Sequence, residues 1–127
     1  MLITINNIVT TDPEIKVAFS TDCGAAIAVW NANPPKTGEN YNIEFDINEE
    51  FYWGKNACLS LENIASLAVS GDRISLTGTL ITIDKNGAAV IEICGSIVLI
   101  ELYNYTEELP AIINLTFEKL TLFPTNI

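Results

Sequence analysis

The chain reads as an all-β protein: a single-domain antiparallel meander forming a small barrel or strongly curved sandwich, with at most one short helix. Three observations predict this. Apolar and polar residues alternate at period two in one segment after another, as half-buried strands require. Turn-forming dipeptides recur between those segments, and the alternation slips phase in two places, which a closed or coiled sheet needs and a flat one does not.

The first strands are expected at 2–9, at 14–20 with Ile15, Val17 and Phe19 on one face, and at 25–30 ending on Trp30. Thr11-Asp12-Pro13 and Asp22-Cys23-Gly24 supply the turns between them. Asn31 to Asn40 is a loop, because Pro34 and Pro35 lack backbone donors and Gly38 supplies a turn. Residues 40–48 then alternate: Tyr41, Ile43, Phe45 and Ile47 share one face, and Asn42, Glu44, Asp46 and Asn48 share the other.

From Ala65 to Leu102 each turn fixes a register that can be tested against the apolar pattern. A two-residue turn at Gly71-Asp72 pairs Val69 with Ile74 and Leu67 with Leu76. A three-residue loop within Asp84 to Gly87 pairs Ile83 with Ala89 and Ile81 with Ile91. A turn at Gly95-Ser96 pairs Ile93 with Val98 and Ile91 with Ile100, and it sets Glu92 diagonally from Glu101 on the outer face. The switch from even apolar positions (Ile74, Leu76, Leu80) to odd ones (Ile81, Ile83) predicts a bulge or bend beside Gly78. A second slip separates Ile113, Leu115 and Phe117 from Leu120 and Leu122. The one helix candidate is Ser60 to Ala68, where Leu61, Ile64, Ala65 and Ala68 have helical spacing.

A chain of 127 residues, all assigned to one domain (1–127), is long enough to bury a core without staples. No apolar run approaches a membrane span, and the opening residues lack the basic start of a secretion signal, so the expected address is the cytoplasm. Cys23, Cys58 and Cys94 are far apart in apolar sequence and are expected to be reduced and mostly buried. Sixteen acids against six bases give a net charge of −10, which argues against nucleic acid or an anionic membrane as partner and permits a basic protein as one. General solubility is the bland alternative explanation of the same charge.

With no histidine, Ser/His and Cys/His catalysis and imidazole metal sites are excluded, and no glycine-rich phosphate loop is present. Neither a cofactor nor a metal is expected. Paired carboxylates are the remaining catalytic kit: Glu44 and Asp46 lie two apart on a strand, roughly 7 Å from each other, in the range that glycoside hydrolysis uses. Burial that would separate their roles is not legible, so the chain is expected not to be an enzyme.

The most informative feature is a cluster of five carboxylates, Glu39, Glu44, Asp46, Glu49 and Glu50, without a Lys or Arg among them. Phe51, Tyr52 and Trp53 follow directly, and consecutive strand residues cannot all point inward, so an exposed Tyr52 or Trp53 is expected beside the acids. An exposed ring next to carboxylates is the make-up of a protein-binding surface. In size, acidity and lack of catalytic residues, with Glu44, Asp46, Glu49 and Glu50 as the carrying cluster, the chain resembles the immunity proteins of bacterial contact-dependent or polymorphic toxin systems. That resemblance implies a cytoplasmic protein that binds one cognate toxin, often a basic nuclease, and blocks it with carboxylates in the place of substrate phosphates. A carbohydrate- or small-ligand-binding barrel using Trp30, Tyr52 and Trp53 is the second reading, and a glycosidase-like carboxylate enzyme the third.

Overall fold

The computed structural model describes residues 1–125. Twelve strands account for its regular structure: β1 (Leu2–Thr10), β2 (Lys16–Thr21), β3 (Gly24–Trp30), β4 (Asn40–Asp46), β5 (Glu50–Tyr52), β6 (Ala57–Leu59), β7 (Ser66–Ser70), β8 (Arg73–Ile83), β9 (Ala88–Ile93), β10 (Ser96–Tyr103), β11 (Ala111–Phe117) and β12 (Thr121–Pro124). No helix occurs among the described residues.

Five strands close a barrel. β1 pairs with β2 and β4, β2 with β3, and β12 completes the ring by pairing with β4 on one side and β3 on the other. Two register shifts in β1, at Ile5/Asn7 and Ile8/Thr10, supply the extra twist that closure demands. The interior is filled by inward residues of each strand, among them Ile3, Phe19, Ile43 and Leu122, with Phe19 and Phe45 ring centroids 6.2 Å apart.

β3 joins the barrel to the outer strands. Its far end pairs with β12 at Val29 and Trp30, while its start meets β7 through Gly24 and Leu67. A Cβ at Gly24 would overlap the Leu67 backbone, so only glycine allows this approach. From β7 the chain runs as an antiparallel meander through β8, β9 and β10. β8 is long enough to be shared. One edge pairs with β11 from Ile74 to Leu80, and the other passes from β7 to β9 around Gly78. At the end of the meander β5 adds to β10 in parallel, a bridge from Trp53 to Ala57 leads to β6, and β6 pairs with β11. The buried side chains form one continuous cluster.

The Gly71-Asp72 hairpin pairs Val69 with Ile74 and Leu67 with Leu76, as the sequence predicts. The Asp84 to Gly87 loop pairs Ile83 with Ala89, and the Asp84 carboxylate caps it by accepting from the Asn86 and Ala88 amides. Two registers differ from expectation. Ile91 lies opposite Leu80, because the bulge falls between Leu80 and Thr82 and pushes Ile81 out of the ladder, 41% exposed. What happens at Gly78 is close approach: a Cβ there would lie 2.7 Å from the Glu92 carbonyl oxygen. The last turn is Cys94-Gly95, with positive φ at both residues (49° and 81°), so Val98 rather than Ile100 faces Ile91. A two-residue hairpin with both central residues left-handed matches strand twist better than the expected Gly95-Ser96 turn. The slip is of two residues, so the apolar face is preserved.

The Ser60 to Ala68 helix does not form. Residues 60–65 are an irregular link with Leu61 and Ile64 exposed, and the strand register of Leu67 against Leu76 takes the second half. The cysteine expectation is also overturned: Cys23 and Cys94 form a disulfide with Cα atoms 6.3 Å apart, and Cys58 is free and exposed. Both paired cysteines sit in hairpin turns that the topology brings to one end of the molecule, a proximity invisible to spacing when the residues are 71 apart.

Candidate partner-binding site

Strand β4 presents its alternation as read from the sequence. Ile43, Phe45 and Ile47 are buried, while Glu44, Asp46 and Asn48 are exposed. Past Asp46 the chain leaves the barrel, crosses through residues 47–49, and becomes β5, where it pairs in parallel with the end of β10. β4 and the first half of β10 are left diverging, with an open groove of ≈ 680 Å³ between them. Glu44 and Asp46 line one side; Ile97 and Leu99 line the other, at 53% and 69% exposed, and Phe123 contributes an exposed ring. Toward the joined end the groove narrows into a second hollow of ≈ 280 Å³ bounded by Leu99, Glu50 and Glu101. No Lys or Arg lines either part.

At that end the pairing sets Glu101 opposite Glu50 and Tyr103 opposite Tyr52. The Tyr52 hydroxyl donates to Glu50 Oε2 at 2.6 Å, and the Tyr103 hydroxyl donates to Glu101 Oε2 at 3.3 Å. Their rings lie 5.4 Å apart, tilted by 34°, and Lys55 Nζ stands 5.9 Å from the Tyr52 ring centre. The hydrogen bond to Glu50 raises the Tyr52 phenol above its ordinary value, aided by partial desolvation and the surrounding carboxylates. Desolvation comes first in raising Tyr103, followed by the charge of Glu101 and its hydrogen bond. Two carboxylates and two hydroxyls thus form a compact anionic, aromatic patch continuous with the groove.

The predicted site residues do not all gather there. Glu44 and Asp46 line the groove, Glu49 and Glu50 line the hollow at its end, and Tyr52 adjoins them through its hydrogen bond to Glu50. Glu39 precedes β4 at the opposite end of that strand, where its carbonyl accepts from the Ile5 amide. Glu49 is occupied structurally, its carboxylate accepting from the Glu118 amide at 2.7 Å. Trp53 is half-buried and packs edge-on against Tyr105, with centroids 4.8 Å apart. Trp30 is buried, with Nε1 donating to the Asn33 carbonyl, and offers no open ring face. Glu92 and Glu101 are not the expected diagonal pair. The shifted turn puts Glu92 opposite Ile97, and its carboxylate caps the Gly95 amide.

No family model, curated protein or solved structure matches the chain. The site therefore rests on its own geometry.

Sequence reasoning missed Tyr103, Ile97 and Leu99, and paired Glu101 with Glu92 rather than with Glu50. A signal was present: Glu50-Phe51-Tyr52 and Glu101-Leu102-Tyr103 repeat one Glu-apolar-Tyr pattern, and the fold lays the two copies side by side in register. Among the described residues no group of three or more acidic or thiol side chains is placed to hold a metal ion.

Proposed function

We propose that this protein is an acidic protein-binding module whose groove between β4 and β10 receives a basic protein, and that it serves as an immunity-type neutraliser of a basic, nuclease-like toxin. One observation carries the reading: the carboxylates of Glu44 and Asp46 face exposed Ile97 and Leu99 across an open groove that no Lys or Arg lines, the Met1 ammonium at its border donating to the Ile43 carbonyl. Apolar area supplies the burial that holds a complex, and the acids select the sign of the partner and steer its approach. The Glu50, Glu101, Tyr52 and Tyr103 patch extends the same surface with two rings that lose little entropy on binding.

The proposed role and the disulfide point to different compartments. A toxin-neutralising role would put the chain in the cytoplasm, where Cys23 and Cys94 would stand as thiols, whereas the disulfide suits an oxidising compartment and a partner met there. No helix is long and apolar enough to cross a membrane among the described residues.

The carbohydrate-binding reading is favoured by one feature, the exposed Tyr52 ring beside Tyr103 with two carboxylate acceptors. It loses the Trp30 face. The enzyme reading gains no buried carboxyl from Glu44 or Asp46, both of which stand in solvent.

The deciding experiment takes the product of the gene immediately preceding this one and measures association with the wild-type chain and with the double reversal Glu44→Lys, Asp46→Lys. Binding whose on-rate falls steeply with salt, and which the reversal weakens by several kcal/mol, roughly 2–5 for desolvated charge pairs, supports the reading. Binding indifferent to both salt and reversal places the functional surface elsewhere and leaves the acidity to solubility.

A further inference from the structure

The wall of the groove opposite the acids is a strand edge as well as an apolar surface. Along β10 the Leu102 amide donates to the Gly87 carbonyl, so even-numbered residues turn their backbone groups toward β9. The Tyr103 carbonyl accepts from the Trp53 amide, so odd-numbered residues turn theirs toward β5. β5 reaches back only as far as Glu101. The N–H and C=O groups of Ile97 and Leu99 are therefore aimed into the groove without a strand to receive them. Backbone groups in this position normally find partners, and exposed edges are normally protected by Pro, Lys or a bulge. The stretch from Ser96 to Ile100 has none of these: it keeps an unbroken register with β9 and reads Ser-Ile-Val-Leu-Ile.

We propose that this edge of β10 is extended by an added strand, supplied by an extended basic segment of a partner protein. The occupant's chemistry follows from what flanks it. Residues of the incoming strand on the inner side meet Ile43 and Phe45, the buried apolar side chains that line the groove, which selects apolar side chains. Those on the outer side lie between Glu44 and Asp46 on β4 and Ile97 and Leu99 on β10, with Glu101 beyond, which selects Lys or Arg. The matching segment alternates basic and apolar residues. A second copy of this chain fits poorly, since each copy carries a net charge of −10 and would bring its own Glu44 and Asp46 to the contact. The inference deepens the partner-binding reading and rests on it for the sign of the occupant's charge.

The test uses an acetylated, amidated octapeptide of four Lys-Val repeats, with a four-repeat Glu-Val peptide as control, and follows amide hydrogen exchange residue by residue. In the free protein the Ile97 and Leu99 amides should exchange fast while Val98 and Ile100 are protected. Saturation with the Lys-Val peptide should slow Ile97 and Leu99 roughly tenfold or more, as new ladder bonds would. Leu99→Pro deletes the outward donor without removing a bond of the fold and should abolish binding. Should that variant fail to fold, the exchange measurement on the wild-type chain decides alone.

Lack of binding by the Lys-Val peptide overturns the inference. So does binding that leaves Ile97 and Leu99 in fast exchange, yet if that binding is still lost on reversing Glu44 and Asp46, the acidic-module reading survives. Equal protection by the Glu-Val peptide would overturn the basic occupant and the charge reading beneath it. Slowing that depends only on protein concentration would identify a second copy as the occupant and equally overturn the proposal.

Discussion

Glu50 and Glu101 stand directly opposite each other on neighbouring parallel strands, each accepting a hydrogen bond from the tyrosine two residues further on. Like charges in this relation destabilise a sheet. β5 is only three residues long, so the repulsion falls on a small share of pairing. The Lys55 ammonium, 5.9 Å from the Tyr52 ring centre, stands beside this pair.

Glu101→Gln keeps the acceptor for the Tyr103 hydroxyl while removing one charge. The variant should therefore gain stability, by about 0.2–1 kcal/mol, and lose affinity for a basic partner. Urea denaturation and binding measured side by side would check the opposite signs. A loss of stability would mean that the Glu101 charge is compensated within the fold.

The tyrosines set an alkaline limit. Tyr52 and Tyr103 are raised above the ordinary 10.0, so between that value and their folded values the unfolded chain gives up phenolic protons that the native chain retains. Their contribution to stability is full below the unfolded value and is lost as pH climbs through the folded ones. Phenolate absorbance should show them ionising later than a free tyrosine. Tyr52→Phe with Tyr103→Phe should remove part of the stability loss above pH 10; an unchanged alkaline profile would place that loss elsewhere.

Thiol counting tests the cysteine arrangement. The native protein should titrate one thiol, Cys58, at once, and unfolding without reductant should reveal no more. Replacing Cys23 and Cys94 by Ala should cost about 4 kcal/mol on the chain-entropy account of a loop this long. Three thiols on unfolding, with none accessible before, would restore the expectation drawn from sequence.

Three substitutions report on the coil in β8. Leu80 is fully buried and Ile81 is lifted out by the bulge, so Leu80→Ala should cost about 2–5 kcal/mol and Ile81→Ala far less. Gly78→Ala would drive a methyl into the Glu92 carbonyl and the Ile91 side chain, a strain of about 1–3 kcal/mol. If Ile81→Ala proved as costly as Leu80→Ala, the bulge would have to lie elsewhere.

Much of this fold is legible in the sequence where the determinants are local. β4 reveals itself because Glu44 and Asp46 cannot turn inward past Ile43, Phe45 and Ile47, and Gly71-Asp72 because one turn aligns two apolar pairs at once. Reading falters where two local solutions preserve the same face. Cys94-Gly95 and Gly95-Ser96 both keep Ile91 opposite an apolar residue, and only the left-handed conformation of Cys94 separates them. Helical spacing at Leu61 and Ile64 misled because spacing says nothing about whether a surface waits to cover those side chains; here none does. Of the candidate site, the Glu44 and Asp46 wall was readable, but its opposite wall was not. Parallel pairing of β5 with β10 joins residues 51 positions apart, and no turn announces it.

The Cys23–Cys94 bond also bears on the proposed strand addition. Cys94 lies two residues before Ser96, where the groove wall begins, and at its other end β10 is held by β5. The free edge is thus anchored at both ends, by the disulfide-bearing turn and by β5. A visiting strand would find its docking rail already taut, so the ordering required at contact falls mainly on the visitor, and reduction of that one bond would slacken the rail without altering any residue that touches the visitor.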